Sequence, residues 1–390
     1  LQRLRAGRTR RGAVTGSAFL TTPVRRRMAP RLGVVAFVAV AVLGQSLAAQ
    51  GEADATRRSR INVYPFAFYT PETGLALGGG GVLTYYAGEE ASLRPSNVTV
   101  AAYYSTINQY SVAVMPRTYF GDNRWLASAE LSASRIVDKY WGIGNETPEL
   151  DSASYVANRG RALLELQMPL PLSRVHRWGL LYDIEGTGIA DRRSNPLLED
   201  TTLVGYDGGL LSGIGAIMAW DSRDHVFFPT RGMFHQVRST FFPPFLGSAY
   251  GFTSHEVDLR WYFPLRSDMV IALQTFGEFT TGDVPFYRLA ALGGEDRMRG
   301  YYEGRYRDKD FVSMQVEYRT HVWWRFGAVA FVGTGEVMPR LADFRFGELH
   351  ISGGGGLRFT FNEAERVNLR VDMGFGRGTS GLYFGIEEAF

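Results

Sequence analysis

The sequence repeats one pattern from about residue 60 onward, an alternation of apolar and polar side chains with a period of two. In residues 312–319 (VSMQVEYR) the apolar side chains occupy the even-numbered positions, and in residues 256–263 (EVDLRWYF) and 367–373 (VNLRVDM) the odd-numbered ones. Successive side chains of a β-strand point to opposite faces of the sheet. Each run therefore predicts a strand with one apolar face and one charged face.

The length of these runs decides between two all-β architectures. They extend over about 9 to 13 residues, whereas strands of soluble sandwiches average about 5 to 6. Tyr and Trp lie near the ends of the apolar faces, and no run of about 18 apolar residues follows residue 51. We therefore predict a transmembrane antiparallel β-barrel of about 16 strands, among them 202–220, 346–362 and 379–389. A soluble secreted β protein is the alternative.

The first 50 residues carry a different signal. They contain nine Arg and no Asp or Glu, and an apolar run over residues 32–43 precedes Ser46, Leu47, Ala48 and Ala49. This pattern predicts a signal peptide over 1–50, of which 1–27 would be an over-extended start. We expect a short periplasmic lead-in over 51–59 and the barrel over 60–390.

Charge and composition argue against several functions. Without the nine arginines of the leader, 33 basic residues face 39 acidic ones, which leaves a net charge of about −6. No concentrated basic face remains for nucleic acid. The chain has no Cys, and its six His form no HExxH or other zinc spacing. We expect no metal, no cofactor and no catalytic residues.

A charged, glycine-rich loop over residues 293–302 (GGEDRMRGYY) interrupts the alternation. Its charges cannot lie on a lipid face, so the loop predicts a polar surrounding. Its core, Met298, Arg299, Gly300 and Tyr301, resembles the Arg-Gly-aromatic motif of the BamA/TamA surface-antigen superfamily of outer-membrane barrels. The resemblance implies an extracellular loop that folds into the barrel lumen between the eleventh and twelfth strands.

A turn near the middle of the chain resembles a turn of the same family. Asp221, Arg223 and Asp224, followed by Pro229 and Gly232, look like its Asp-x-Arg-Asp and Pro-Thr-x-Gly turn between the eighth and ninth strands. Pro pre-sets one backbone angle of such a turn, and Gly accepts angles that are closed to other residues. We expect Asp221 and Arg223 to pair across the turn.

The end of the sequence adds a third point of similarity. Residues 354–358 and 368–372 resemble the late-strand pattern of the family, and Phe390 is last, as is common in outer-membrane barrels. Leu382, Phe384 and Ile386 continue the alternation toward Phe390. Glu388 breaks it, because a hydrophobic residue is usual at that position.

Two departures from the family pattern affect the expected site. The family places an Asp after a Phe-x step in its thirteenth strand, but here Gly333 occupies that position. We therefore expect Arg299 to pair with Glu317, with Glu336 or Asp372 as reserves. Only about ten residues separate the expected cleavage region from the first strand, so we expect a member without periplasmic POTRA domains.

The seam between the first and last strands is predicted to be the weakest pairing of the wall. Pro65 has no N–H to donate, and Gly381 and Gly385 loosen the closing strand that ends at Phe390.

The resemblance implies a barrel that assists the insertion or translocation of protein or lipid at the outer membrane of a Gram-negative-type bacterium. The expected partners are outer-membrane lipids and a separate periplasmic or outer-membrane assembly protein. A passive pore or structural barrel is one alternative, and a barrel enzyme is another.

Overall fold

The computed structural model describes residues 59–390 apart from 89–94, 150–152, 172, 174, 193–194, 226–227, 267 and 363–365. The predicted signal peptide, and the lead-in up to residue 58, lie outside these residues. Among the residues described, no helix is long and apolar enough to cross a membrane.

Sixteen antiparallel strands close into one barrel, as the alternation predicts. They are β1 (Arg60–Thr70), β2 (Gly74–Tyr85), β3 (Ser96–Ser105), β4 (Tyr110–Phe120), β5 (Trp125–Lys139), β6 (Ser154–Pro169), β7 (His176–Asp191), β8 (Gly208–Asp221), β9 (Gly232–Phe242), β10 (Phe252–Arg266), β11 (Met269–Gly282), β14 (Asp310–Trp323), β15 (Phe326–Met338), β16 (His350–Asn362), β17 (Val367–Gly376) and β18 (Thr379–Ile386). Two short strands, β12 (Ala290–Leu292) and β13 (Tyr306–Asp308), pair with each other in the connection between β11 and β14.

The two faces of the wall follow the predicted alternation. On β14, the side chain of Met314 is 45% exposed, whereas that of Glu317 is fully buried on the lumen side. On β17, Val371 and Met373 point outward while Asp372 points into the lumen. The charged face of each strand therefore lines the inside of the barrel.

The barrel has two rims of different character. We call the rim at which β1 begins and β18 ends the lower rim. The opposite, upper rim carries the longest connection, residues 283–309, which we call the lumen loop. The short 3-10 turn Phe286–Arg288 and the β12–β13 ribbon lie within this loop.

Among the predicted strand ends that differ from those in the structure, three lie at turns. The strand predicted over 202–220 begins at residue 208, because Gly205 and Gly208 take positive φ angles of 87° and 83° in a turn. The strand predicted over 346–362 begins at residue 350, after the 3-10 turn Phe346–Glu348. The strand predicted over 379–389 ends at Ile386, because Glu387 turns the chain with a φ of 66°.

Candidate functional site: the plugged lumen

The lumen loop leaves β11 at the upper rim and folds into the barrel. Met298 and Tyr301 are almost completely buried, and they pack with Phe276, Phe311 and Val337 of the wall. Gln315 of β14 donates to the backbone carbonyl of Asp296 over 2.5 Å. The tip of the loop is thus part of the interior of the barrel.

Glycines on both sides allow the loop tip to touch the wall backbone. Gly300 has a φ of 107°, and a Cβ atom there would lie 2.6 Å from the carbonyl carbon of Phe375. A Cβ atom on Gly374 of β17 would lie 2.6 Å from the backbone nitrogen of Gly300. The phenol oxygen of Tyr383 accepts the Gly300 N–H over 3.0 Å. A side chain at either glycine would push the loop tip off the wall.

Arg299 lies in the lumen between two acids from different strands. Its Nη2 donates to Oε2 of Glu317 on β14, and its Nη1 donates to Oδ2 of Asp372 on β17 over 2.6 Å. Its guanidinium also stacks on Phe331, with Cζ 3.6 Å from the ring centroid. Burial alone would lower the pKa of Arg299, but Glu317 and Asp372 raise it above its ordinary value. The guanidinium therefore remains charged.

These contacts belong to a closed ring of six alternating charges, which we call the ion ring. Its members, in order, are Arg299, Glu317, Arg319, Glu388, Arg358 and Asp372. The side chains are at most 4% exposed, and the longest link is the 3.8 Å from Arg319 Nε to Glu388 Oε2. Three positive and three negative groups compensate one another, as charges removed from water require.

The segment 387–390 does not continue the wall as the sequence pattern suggests. Glu388, Ala389 and Phe390 turn into the lumen, where Phe390 packs against Tyr262 and Val270. Arg319 donates to the backbone carbonyl of Phe390 over 2.9 Å. Glu388 breaks the apolar alternation because its carboxylate belongs to the ion ring rather than to the lipid face.

Further ion pairs fasten the lumen loop around the barrel. Arg288 Nη1 lies 2.7 Å from Glu185 Oε2 on β7, and Glu295 Oε2 lies 2.5 Å from Arg370 Nη2 on β17. Two strands from the Arg288 pair along the wall, Arg307 Nη2 lies 2.7 Å from Asp138 Oδ2 on β5. The loop is therefore held from several directions and fixed across the lumen.

An apolar cluster covers the loop at the upper rim. Phe286 packs edge-on against Tyr140 and Tyr155, with ring centroids 5.1 and 5.3 Å apart. Leu198 and Phe242 join the same cluster from neighbouring strands and connections. The connections of the upper rim thus form a lid over one side of the lumen.

The third acid proposed for Arg299 lies elsewhere. Glu336 accepts the backbone N–H of Arg345 at 3.2 and 3.3 Å, in the connection between β15 and β16. At the position where the family pattern has an Asp, Gly333 leaves room for Met298, whose Sδ would lie 3.4 Å from a Cβ atom there.

The turn between β8 and β9 lies at the lower rim, far along the strands from the lumen loop. Arg223 Nη2 is 2.8 Å from Asp221 Oδ2, and Asp224 accepts the backbone N–H groups of Thr230 and Arg231. Burial would raise the pKa of Asp224, but the hydrogen bonds from Thr230 and Arg231 hold it below its usual range. Pro229 is buried and Gly232 has a φ of 100°, so the motif stabilises the connection between β8 and β9.

The seam residues surround a short ladder. Among the described residues, β1 and β18 pair through Tyr69 opposite Phe384, whereas the other neighbouring strands of the barrel pair over eight to fourteen positions. Pro65 pairs with Gly79 of β2, and Gly385 lies opposite Arg370 of β17. Gly381 leaves space for Tyr383, because a Cβ atom would lie 2.5 Å from its phenol oxygen.

Comparison with known families decides the relationship. The family model described as "Omp85 superfamily domain" matches residues 94–390. The chain belongs to the Omp85 superfamily. A search of the curated proteins found no match.

Solved Omp85-type barrels have the same fold. BamA from Haemophilus ducreyi, in a form lacking POTRA domains 1–3, aligns with a TM-score of 0.61 at 15% identity, over 85% of this chain and 70% of that one. CdiB from Acinetobacter baumannii aligns with a TM-score of 0.54 at 12% identity, over 84% of this chain and 59% of that one. CdiB from Escherichia coli aligns with a TM-score of 0.56 at 13% identity, over 85% of this chain and 68% of that one. At these identities the likeness concerns the barrel fold alone.

For several residues of this Omp85 barrel, the sequence predicts no role in the lumen. Arg358 joins the ion ring, while Arg288, Glu295 and Arg307 anchor the loop. Arg358 occupies a position that the alternation of β16 assigns to the polar face, whereas Glu388 occupies a position that the alternation after β18 assigns to the apolar face. The loop arginines follow no periodicity, so pattern analysis could not find their partners. Within the described part of the chain, no group of three or more metal-ligating side chains could hold a metal ion.

Proposed function

We propose that this Omp85 barrel lies in the outer membrane of a Gram-negative-type bacterium and assists the insertion or translocation of protein or lipid there. The observation that carries the proposal is the combination of a plugged lumen with a β1–β18 ladder that, over the described residues, consists of the pair Tyr69 and Phe384. A loop fixed across the lumen hinders free diffusion. A seam with few ladder bonds offers a lateral route into the membrane, where unpaired backbone groups are costly and invite a strand to pair.

The function is tested by locking the seam. The protein has no cysteine of its own, so a Tyr69→Cys/Phe384→Cys variant allows one disulfide across β1 and β18. In proteoliposomes, the reduced barrel is expected to accelerate insertion of an unfolded outer-membrane barrel protein, and the oxidised barrel to lose this effect. The matched control is Leu273→Cys/Val316→Cys across β11 and β14, whose oxidation should change nothing. Equal activity of the locked and open seam would refute the proposal.

The seam itself is expected to crosslink less completely than a continuous ladder. With the same two cysteine pairs, brief oxidation should convert a smaller fraction of the Tyr69/Phe384 pair than of the Leu273/Val316 pair. The reason is that pairs before and after Leu273 and Val316 continue the β11–β14 ladder, whereas in the described part of the chain the β1–β18 ladder does not extend beyond Tyr69 and Phe384. Conversion is measured by mass spectrometry of peptides. Equal conversion would show that the seam is as rigid as the rest of the wall.

The proposed location predicts a simple biochemical behaviour. The protein is expected to fractionate with outer membranes and to migrate differently in detergent gels before and after boiling, because closed ladders protect a barrel from detergent. Recovery in the soluble periplasmic fraction would contradict the proposal.

The proposed partners are outer-membrane lipids and a separate assembly protein of the periplasm or outer membrane. Co-purification from crosslinked outer membranes, followed by mass spectrometry, is the measurement. Enrichment of assembly or client proteins over a mock purification supports an assisting role. Recovery of the barrel with lipid alone would favour a passive structural barrel.

A further inference from the structure

We propose that a groove on the outer, lipid-facing side of strands β4 to β7 binds one acyl chain of a phospholipid, whose headgroup lies at the lower rim. The inference deepens the proposed function, on whose membrane location it rests. It names a lipid partner and the part of the wall at which that partner binds.

The groove has a volume of about 460 Å³ and extends over four neighbouring strands. Its lining includes Pro116 of β4, Ala127 and Ala129 of β5, Leu164 and Leu166 of β6, and Leu180 of β7. The three leucines are 42 to 61% exposed, whereas the charged side chains that alternate with them on β6 and β7 are buried on the lumen side. The groove therefore opens toward lipid.

Two alanines form the floor of the groove. Ala127 lies opposite Leu166 and Ala129 opposite Leu164, so the leucines of β6 stand beside a strand whose outward side chains end at Cβ. Neighbouring strands lie about 4.8 Å apart, which leaves roughly 10 Å between the β4 and β6 backbones. An α-helix with its side chains is about 10 to 12 Å wide. The groove therefore fits a single hydrocarbon chain better than a helix of another protein.

The hydroxyl groups that border the groove are already satisfied within the wall. Thr118 Oγ1 lies 2.7 Å from the phenol oxygen of Tyr85, and the phenol oxygen of Tyr182 lies 2.8 Å from Ser212 Oγ. A group that is already hydrogen-bonded gains little from a polar ligand, and apolar surface favours an apolar one. The chemistry of the groove thus favours an acyl chain.

The ladder between β4 and β5 is interrupted beside the alanines. The register is the same on both sides, with Val114 opposite Leu131 and Arg117 opposite Ser128, but the two positions between them, 115 and 116, form no pair with β5. Pro116 has no N–H to donate to a ladder. The groove therefore coincides with a weak point of the wall, which a bound chain would cover and stabilise.

Aromatic side chains mark the lower end of the groove. Phe120 and Trp125 are opposite each other, two residues beyond Thr118 and Ala127, and their rings stack with centroids 6.4 Å apart. Trp178 of β7 also faces outward near the lower rim. Aromatic girdles of this kind lie at the interface between lipid and water. The groove therefore runs from the headgroup region into the hydrocarbon.

The turn between β4 and β5 supplies charges at the level of the headgroups. Arg124 and Asp122 are both exposed in this turn, which directly follows the Phe120/Trp125 pair. Arginine pairs readily with phosphate, and a carboxylate pairs with an amine. The turn thus matches a zwitterionic headgroup that carries a phosphate and an amine, as in phosphatidylethanolamine.

The test is photolabelling of the full barrel in proteoliposomes. The probe is a phosphatidylethanolamine with a diazirine in one acyl chain, and mass spectrometry identifies the labelled peptides. Labelling should concentrate on the peptides that contain Ala127 and Leu164. Ala129→Phe fills the groove and should reduce this labelling to the level of the remaining lipid-facing wall. The matched control is Ala330→Phe, at an exposed outward position of β15, which should leave the labelling unchanged.

Heat-modifiable migration verifies that each variant folds, and Ala127→Leu replaces Ala129→Phe if the latter does not. Labelling spread evenly around the barrel, as lipids that merely surround it would give, overturns the proposal. So does groove labelling that the filled groove retains. Dimers of the barrel that dissociate in Ala129→Phe would assign the groove to a second copy and also overturn it. Because the assay needs no client protein, its failure is distinct from failure of the insertion assay.

Competition tests the headgroup. Unlabelled phosphatidylethanolamine should reduce the groove labelling more than the same amount of phosphatidylglycerol, which lacks the amine. Arg124→Ala should weaken this competition by up to about fivefold, the limit for an exposed ion pair. Arg231→Ala, exposed in the connection between β8 and β9, is the matched control and should change nothing. Equal competition by the two lipids would overturn the assignment of the headgroup.

Discussion

Replacing Arg299 by Ala is expected to destabilise the folded barrel by about 3 to 5 kcal/mol, because it leaves the buried carboxylates of Glu317 and Asp372 without their shared cation. The released loop should also raise the conductance of the barrel in planar bilayers. Both effects are measured on purified protein, as the temperature at which the folded band disappears and as single-channel current.

Related substitutions separate this effect from a general loss of charge. Glu317→Ala should act in the same direction, and the double variant should cost less than the sum of the two, because both remove one network. Arg299→Lys keeps the charge but loses the planar fork, so an intermediate effect is expected. The control is Arg345→Ala, whose side chain is 73% exposed in a surface pair with Glu348. If the Arg299→Ala barrel keeps the melting temperature and the conductance of the unaltered barrel, Arg299 does not hold the loop in the lumen.

Gly374→Ala is expected to expel the loop tip without removing any charge from the ion ring. The added Cβ atom would lie 2.6 Å from both the carbonyl carbon of Arg299 and the nitrogen of Gly300, and backbone atoms cannot yield as a flexible side chain can. Overpacking of this kind costs about 1 to 3 kcal/mol. We expect a higher conductance and faster protease cleavage within residues 293–302.

A glycine on the neighbouring strand provides the control for this substitution. A Cβ atom on Gly353 of β16 would meet its nearest atom, the carbonyl oxygen of Phe331, at 3.4 Å, an ordinary contact. Gly353→Ala should therefore leave the loop protected. Equal protease resistance of the Gly374→Ala and unaltered barrels would show that the loop tip does not depend on this close approach.

The sequence was sufficient to predict the wall. Period-two alternation is a local property, and the membrane enforces it on every strand, so both the strand number and the faces of β14 and β17 followed from the pattern. The loop could be located because its charges exclude a lipid-facing strand. Glu317 could be proposed as the partner of Arg299 because it occupies a lumen-facing position of β14, the strand that follows the loop.

The arrangement inside the lumen could not be predicted in the same way. Arg299 contacts acids from β14 and β17, and only the closed barrel brings these strands to opposite sides of one guanidinium. The inward turn of Glu388 depends on Arg358, thirty residues earlier in the chain. The β12–β13 ribbon is three residues long on each side, which is too short for a periodic signal.

The conductance of the unaltered barrel tests the central claim most directly. A lumen occupied by residues 283–309 and by the segment 387–390 should give a barrel that is closed for most of the recording, with brief and variable openings. A steady, ohmic current of fixed size in every insertion would contradict the plugged lumen and identify the protein as a passive pore.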